Sequence, residues 1–579
     1  MKLLYPSLKL KFVLSLFLSA SGFVEAQPII ERSATFHPFS VLEEDGMVVT
    51  QDQLAADVGA EILAAGGNAV DAAVATGFAM AVSFPQAGNL GGGGFMLIHM
   101  SAEDETLALD YREVAPQAAF SEMFLNANGE VDNRLSRSTA LSSGVPGTVA
   151  GLLDAHEMYG RLTREQVLEP AVRMAREGIV VSDSLAWSLN QASRRFQNYA
   201  SSRHYFLDED QQTPAVGELW IQEDLATTLS LISDYGKDGF YSGAVAQQIV
   251  AESDRHDGLI SLEDLQDYKT VMREPLQGNF REYQIFSMPP PSSGGLHLIQ
   301  ILEMLELLNI DEFEHNSAGY LHRLVESMKY AYADRSYYLG DPDFVEVPVE
   351  QLTSDSYLRE RSQLVQAERA VPSSEISAAK LLPVESNETT HFSVWDGEGN
   401  VVSNTYTLNF SYGNGIAVQG AGFLLNNEMD DFSALPGSSN AYGLVGSEAN
   451  AIEPGKRPLS SMSPTIVFKD GEPIIATGSP GGSAIITIVA QVLLNMLEFN
   501  MNPAQAVSVP RIHHQWLPDS IRWESGISAD TRAAMEAMGH TFDENPRVWG
   551  KAETISLQEG YLKAGVDPRW PGSGAAAPD

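Results

Sequence analysis

The stretch Asn387-Glu388-Thr389-Thr390-His391-Phe392-Ser393-Val394 lies between a polar connector and two strand-like runs. One run follows Thr389, a turn is expected at residues 396–400, and the second run covers residues 401–408. The pattern predicts a threonine pair at the entrance to a β-hairpin. If the bond before Thr389 were cut, this residue would carry a hydroxyl nucleophile and a free α-amine. An α-amine has a pKa of about 7.7–8.0, so it can act as the base that a threonine hydroxyl needs.

The composition restricts the class of protein. The 579 residues, 44% of them hydrophobic, predict one large layered domain or more than one ordinary domain. The formal net charge of −40 argues against a nucleic-acid partner, because phosphates are bound by lysine and arginine. The chain has no cysteine, which excludes disulfides, thiolate metal sites and a cysteine nucleophile.

No metal or other cofactor is predicted. His513 and His514 are adjacent, which is not a metal-ligand spacing on a helix. The glycine-rich run at residues 88–94 follows a predicted helix and precedes a predicted strand, the reverse of the order in a dinucleotide site. We therefore interpret these glycines as a place of close backbone packing.

The first residues have the pattern of an export signal. Lys2, Lys9 and Lys11 precede an apolar run at residues 12–23, and small residues occupy the cleavage spacing at 24–26. Residues 1–26 are therefore predicted to be a signal peptide, which places the mature protein in the periplasm or outside the cell. No later run is long and apolar enough to span a bilayer, so no membrane anchor is predicted.

Helical spacing and turn residues predict the elements that surround the hairpin. A helix at 55–65 should end at Gly66-Gly67, and Asn68 should cap the next helix, 69–83. Asp470-Gly471 predicts a second hairpin. Residues 361–388 are polar and poorly periodic, which indicates an exposed connector. Further helices are expected at 146–160, 165–177, 296–308 and 318–333, and strands at 95–99, 107–111, 464–469 and 473–477.

Three polar segments could contribute to catalysis or binding, and the residues alone leave each open. Gly481-Gly482 precedes a helix, so its N–H groups could stabilise an oxyanion, or it could be a plain turn. Ser460-Ser461 could donate hydrogen bonds to a carboxylate, or form a surface turn. The acidic and amide residues at 426–431 could hold an ammonium group or simply be solvated, and they lack the spacing of a calcium loop.

Taken in order, these segments resemble the γ-glutamyltranspeptidase family of the N-terminal nucleophile hydrolase superfamily. The resemblance covers nearly the whole chain after residue 26. It is carried by residues 66–73, 85–95, 110–113, 289–295, 341–343, 389–391, 425–432 and 478–482.

The resemblance implies an α+β fold, a four-layer αββα sandwich. It also implies a precursor that cuts itself between Glu388 and Thr389. The large subunit would cover residues 27–388 and end in the exposed connector, and the small subunit would cover 389–579. The two subunits would stay together as a heterodimer that forms one αββα unit.

The resemblance also implies a role for each site residue. Thr389 would be the nucleophile and Thr407 would orient it, while the N–H groups of Gly481 and Gly482 would stabilise the oxyanion. Tyr442 would belong to a lid loop over the donor pocket. Arg112, Ser460 and Ser461 would bind the α-carboxylate of a γ-glutamyl donor, and Asn409, Glu428 and Asp431 would bind its α-ammonium group.

The implied activity is that of a γ-glutamyltransferase and glutathione hydrolase. The γ-glutamyl group of glutathione or a related compound would pass through a Thr389 ester to water or to an amino acid or peptide acceptor. One alternative is an acylase of the same superfamily that removes glutaryl groups from cephalosporin-type β-lactams. Another is an inactive, unprocessed protein that only binds γ-glutamyl peptides.

Overall fold

The computed structural model describes residues 42–43, 45–376, 389–435 and 448–578. Glu388, Tyr442 and the predicted signal peptide at 1–26 lie outside these residues. The strands are β1 (Leu42–Glu43), β2 (Gly46–Thr50), β3 (Gly93–Met100), β4 (Glu105–Tyr111), β5 (Ile179–Val180), β6 (Leu219–Trp220), β7 (Val271–Arg273), β8 (Leu276–Phe280), β9 (Tyr283–Ser287), β10 (Thr390–Asp396), β11 (Val401–Thr407), β12 (Thr465–Lys469), β13 (Glu472–Gly478), β14 (Ile512–His513), β15 (Arg522–Trp523), β16 (Glu553–Gln558), β17 (Tyr561–Val566) and β18 (Gly574–Ala576).

The helices follow the predicted positions closely where the sequence is amphipathic or capped. Asn68 accepts hydrogen bonds from the N–H groups of Val70 and Asp71, as its capping role requires. The α-helices are α1 (Gln53–Ala64), α2 (Ala69–Ser83), α3 (Asn133–Ser138), α4 (Thr148–Tyr159), α5 (Arg164–Glu177), α6 (Asp183–Phe196), α7 (Ala200–Phe206), α8 (Glu223–Tyr235), α9 (Asp238–Tyr241), α10 (Gly243–Arg255), α11 (Leu262–Asp267), α12 (Gly294–Leu307), α13 (Ala318–Tyr338), α14 (Val349–Leu352), α15 (Asp355–Leu364), α16 (Ile485–Leu497), α17 (Pro503–Ser508) and α18 (Ala529–Ala537).

Two seven-stranded sheets form the centre of the described part of the chain. Sheet 1 has the order β1-β17-β16-β13-β12-β9-β8, and sheet 2 has the order β18-β2-β10-β11-β3-β4-β7. β10 contacts β13 and β16 across the two sheets. Helices α1, α2 and α4 cover sheet 2, and α12, α16 and α17 cover sheet 1. The expected αββα sandwich is confirmed.

The β10–β11 hairpin lies in the middle of sheet 2, between β2 and β3. Its side chains alternate between two environments, as the period of a strand requires. Phe392 and Val394 join the hydrophobic cluster beneath α1 and α2. Ser393 faces the other way, and its hydroxyl donates to the carbonyl oxygen of Glu553 in sheet 1 at 3.2 Å. The residues after Thr389 are thus fixed from both faces.

The predicted connector is exposed only in part. Residues 361–364 finish α15, residues 366–369 are exposed as predicted, and Val371 and Ser373 are buried. Lys329 donates to the Val371 carbonyl, and the Val371 N–H donates to Glu326 Oε2 at 3.2 Å. The polar composition suggested exposure, but buried ionic partners on α13 hold this segment against the protein.

The same region contains a group of potential metal ligands, His322, Glu326 and His540, whose donor atoms lie within 4.8 Å of one another. Each is already engaged. The two histidine rings hydrogen-bond each other at 2.7 Å, and Lys329 Nζ donates to Glu326 at 2.9 Å. The ammonium group of Lys329 would compete with a metal ion for the Glu326 carboxylate. We therefore interpret the group as an anchor for the segment around Val371.

No described helix is both long and apolar enough to cross a membrane.

Candidate active site

Thr389 immediately precedes β10 and is 7% exposed. The hairpin pairs Thr390 with Tyr406, so continuing the register by one residue places Thr407 opposite Thr389. Thr407 is itself fixed, because Asn89 Nδ2 donates to its carbonyl oxygen at 3.0 Å and the Asn409 N–H donates to its hydroxyl at 2.8 Å. The structure therefore brings the two predicted threonines to the same end of the hairpin.

His391 is the histidine nearest to Thr389 in sequence, but it is not a catalytic base. Its ring nitrogens hydrogen-bond the hydroxyls of Thr405 at 2.8 Å and Ser393 at 3.0 Å. Burial lowers the pKa of His391 to about 3, so the ring stays neutral near pH 7. A neutral ring with both nitrogens engaged is a structural link within the sandwich.

Gly481 and Gly482 form the turn between β13 and α16. Their φ angles are 143° and 55°, which favour glycine. At the end of β13, a Cβ on Gly478 would lie 2.4 Å from the His391 ring. This close approach brings the glycine turn to the end of β10, where Thr389 lies.

Arg112 is the centre of a buried ionic cluster and is 1% exposed. Its guanidinium donates to Glu428 and, at 2.6 Å, to Asp431 Oδ2. Two carbonyl oxygens, those of Pro458 at 3.2 Å and Leu459 at 3.3 Å, also accept from it. Residues predicted to bind opposite ends of one donor head group therefore contact each other directly.

Ser460 and Ser461 follow these carbonyls, and both are buried rather than in a surface turn. The Ser460 carbonyl accepts from the N–H of Ser293 at 2.8 Å and from its hydroxyl at 2.7 Å. The Ser461 hydroxyl accepts from Arg335 Nη2 at 2.9 Å. Asn409 adopts a φ of 72°, and its side chain donates to the Asn427 carbonyl at 3.0 Å, which ties it to the acidic segment.

Three residues of the candidate site were given no role by the sequence analysis: Glu113, Arg335 and Asn89. Glu113 is fully buried, and its position directly after Arg112 is the one feature of the sequence that could have indicated a place in the site. Arg335 is on α13, and no local pattern separates it from a surface arginine. Tyr442, the predicted lid residue, lies outside the described residues, as does Glu388 at the predicted cleavage bond.

Comparison with known proteins gives the family to which the chain is similar. The sequence profile described as Gamma-glutamyltranspeptidase matches residues 55–577. The "Glutathione hydrolase proenzyme" of Escherichia coli (strain K12) is 48% identical over 535 residues, which cover 92% of each chain. The protein of the same name from Pseudomonas aeruginosa is 44% identical over 562 residues, or 95% of this chain and 99% of the relative.

Two solved structures have a similar fold. A cephalosporin acylase from Bacillus halodurans has a TM-score of 0.83 at 28% identity and covers 96% of this chain and 99% of its own. The gamma-glutamyltranspeptidase of Helicobacter pylori has a TM-score of 0.55 at 44% identity, covering 56% of this chain and 93% of its own. The fold is that of an N-terminal nucleophile hydrolase. Within that class, the chain belongs to the gamma-glutamyltranspeptidase family of enzymes.

The ionic cluster predicts an unusual pH dependence of stability. Glu113 is fully buried, and its Oε2 lies 3.8 Å from Nη1 of Arg112. Burial raises the pKa of Glu113 from 4.5 to about 7, and burial also raises the pKa of Glu428. Between pH 4.5 and 7 the folded state therefore holds a proton that the unfolded state releases. The stability that Glu113 contributes is complete below pH 4.5 and is lost as the pH rises through 7.

A Glu113→Gln variant should remove this dependence. The free energy of unfolding should be nearly the same for the variant and wild type at pH 4.5. As the pH rises, the variant should become more stable than wild type, by at most about 1.4 kcal/mol per pH unit up to pH 7. Calorimetric melting at pH 5 and 8 measures the difference. Glu122→Gln, at an exposed site, should follow wild type at both values. Parallel melting curves for wild type and Glu113→Gln would contradict the raised pKa.

Proposed function

We propose that this chain is an exported, self-processing γ-glutamyltransferase that cleaves the γ-glutamyl amide of glutathione and related compounds. The observation that carries the proposal is the buried contact of Arg112 with Glu428 and Asp431 beside Ser460 and Ser461. The relatives named glutathione hydrolase proenzyme support the same substrate class.

The cluster suits a zwitterionic head group because it already pairs the two charges that such a group carries. A donor's α-carboxylate can take the two parallel N–H donors of Arg112, together with the hydroxyls of Ser460 and Ser461. Its α-ammonium group can then take Glu428 and Asp431, with Asn409 as a further acceptor. The two charges of the donor replace the contacts that Arg112 makes with Glu428 and Asp431, so no buried charge is left without a partner.

The first reaction is the cut that creates the nucleophile. The Thr389 hydroxyl attacks the Glu388 carbonyl carbon, the C–N bond between the two residues breaks, and the nitrogen takes up a proton. The resulting ester is hydrolysed by water, which leaves a free carboxylate on Glu388 and a free amine on Thr389.

The mature enzyme then uses the same hydroxyl on a donor. The Thr389 amine accepts the hydroxyl proton, the oxygen attacks the γ-glutamyl carbonyl, and the amine leaving group departs with a proton. Gly481 and Gly482 stabilise the oxyanion, and Thr407 orients Thr389. Water or the amine of an amino acid or peptide then attacks the γ-glutamyl ester and regenerates the hydroxyl.

The fold supports two subunits that stay together after the cut. In sheet 2, β10 and β11 of the proposed small subunit lie between β2 and β3 of the large one. In sheet 1, β12 of the small subunit pairs with β9 of the large one. Separation of residues 27–388 from 389–579 would break both sheets, so cleavage should yield a stable heterodimer. We also propose that residues 1–26 direct export to the periplasm or the medium.

The acylase alternative is favoured by one observation, the likeness to a cephalosporin acylase structure. A glutaryl group lacks the α-ammonium, so it would leave Glu428 and Asp431 without their partner. A binding protein without activity is the other alternative. It requires a chain that stays in one piece.

One experiment separates these functions. Wild type should turn over L-γ-glutamyl-p-nitroanilide with a kcat/KM about 100-fold or more above that for glutaryl-p-nitroanilide. Asp431→Asn, which keeps the shape but removes one charge, should lower that ratio by about 10-fold. Glutathione hydrolysis should follow the γ-glutamyl anilide.

Intact mass provides the control for this comparison. Wild type and Asp431→Asn should both appear as a large and a small subunit. Equal rates on the two anilides would favour the acylase, and a single uncut chain without turnover would favour the binding protein.

A further inference from the structure

The last turns of α13 connect the two halves of the candidate donor site. Tyr332 and Arg335 are three residues apart, so they lie on the same face of the helix. The Tyr332 hydroxyl donates to the carbonyl of Ser483, directly after the glycine turn. Arg335 donates from Nη2 to the Ser461 hydroxyl at 2.9 Å and from Nε to the Ser293 hydroxyl at 2.8 Å. One helical turn thus contacts both the glycine turn at Gly481 and Gly482 and the serine pair at Ser460 and Ser461.

The bond from Arg335 determines what the Ser461 hydroxyl can do. A serine hydroxyl has one proton and two acceptor lone pairs. Because the guanidinium occupies the acceptor side, the hydroxyl proton must point away from it, toward another acceptor. A cationic donor also polarises the hydroxyl and makes it a stronger hydrogen-bond donor itself. An anion is the partner that such a hydroxyl binds best.

The surroundings of Arg335 agree with this interpretation. The side chain is buried, being 4% exposed, so the bond is protected from solvent. The Ser293 hydroxyl that Arg335 contacts also donates to the Ser460 carbonyl, so both serines of the pair depend on one arginine. Its positive charge reaches the acidic end of the site as well, where it helps to lower the pKa of Asp431 against the larger opposite effect of burial.

We propose that Arg335 is a positioning residue for the carboxylate subsite. It directs the Ser461 hydroxyl toward the α-carboxylate of the donor and makes the enzyme selective for donors that have one. The inference rests on the proposed function, because it takes a γ-glutamyl compound as the donor. It assigns Arg335 no contact with the reacting atoms.

The test compares two donors that differ only in the α-carboxylate, L-γ-glutamyl-p-nitroanilide and 4-aminobutyryl-p-nitroanilide. In Arg335→Gln, KM for the first should rise about 10- to 100-fold, because a charged hydrogen bond to the serine is lost. The kcat for the first and the kcat/KM for the second should change less than about threefold. Arg335→Lys should recover part of the lost affinity, since it restores the charge but not the planar geometry.

Two further variants distinguish positioning from a general structural role. Ser461→Ala should show the same selective loss, and the double variant should lose little more than either single one, because Arg335 acts through Ser461. Arg361→Gln is the matched control. Arg361 is a half-buried arginine that donates to the residue next to Arg335, Asp334, at 2.6 Å, and its loss should leave the donor ratio unchanged.

Rates are expressed per cleaved molecule, with the cleaved fraction taken from intact mass. Equal losses on both donors in Arg335→Gln, or additive losses with Ser461→Ala, would overturn the proposal. If Arg335→Gln does not fold, the ratio in Arg335→Lys decides in the same way. Failure of the proposed function would be a different result, namely a cleaved wild type that turns over neither anilide nor glutathione.

Discussion

Thr389→Ala protein should remain a single chain and should have lost turnover of γ-glutamyl compounds by about four orders of magnitude or more. The side chain that would break the bond and the side chain that would carry the ester are the same hydroxyl. Its removal stops the cut, and without the cut there is no free amine to act as base. Intact mass and a denaturing gel measure the first effect, and release of p-nitroaniline measures the second.

The neighbouring threonine provides a matched control. Thr390 is fully buried, and its hydroxyl has no hydrogen-bond partner among the described residues. Thr390→Val keeps the β-branched shape, so it should cut itself and turn over substrate as wild type does. Thr389→Ser should also cut itself, because it retains a hydroxyl and an amine. A Thr389→Ala protein that still yields two subunits would contradict the assignment of the nucleophile.

The sequence was sufficient for the parts of this structure that depend on local chemistry. The helix capped by Asn68 and the hairpin after Thr389 follow from side-chain periodicity and turn residues, and both are confirmed. Arg112 and Glu428 are 316 residues apart, and only the resemblance to a family predicts that they belong to one site. Their assigned roles in binding remain proposals, although their proximity is observed.

Other features depend on partners that are distant in the chain. Arg335 and Ser461 are 126 residues apart, and a 21-residue helix rich in polar residues gives no sign of which side chain turns inward. The polar composition of the segment at 361–376 predicts exposure. Val371 within this segment is nevertheless buried, because Glu326 and Lys329 on α13 satisfy its backbone groups. Hydrogen bonds from a distant helix that satisfy buried backbone groups cannot be predicted from the local sequence pattern.

Gly481→Ala should lower kcat by about 10²- to 10³-fold and leave KM nearly unchanged. Gly481 has φ 143° and ψ 13°, a backbone conformation that alanine avoids, and an added Cβ would lie 2.8 Å from Ile488 Cδ1. The backbone of the turn must therefore rotate, which would displace the N–H groups that we propose stabilise the oxyanion. An interaction made only in the transition state contributes to kcat, so its loss should lower kcat rather than raise KM. The self-cut passes through an oxyanion too, so it should slow in parallel.

Gly471→Ala separates loss of function from loss of stability. Gly471 has a φ of 86° in the turn between β12 and β13, and an added Cβ would meet no atom within 4 Å. The substitution therefore introduces backbone strain of about 1–2 kcal/mol without moving the turn at Gly481. Gly471→Ala should melt at a lower temperature than wild type with kcat unchanged, whereas Gly481→Ala should show the kcat defect well below its melting temperature. A Gly481→Ala enzyme with raised KM and normal kcat would mean that the turn binds the donor in its ground state, and the oxyanion would need other donors.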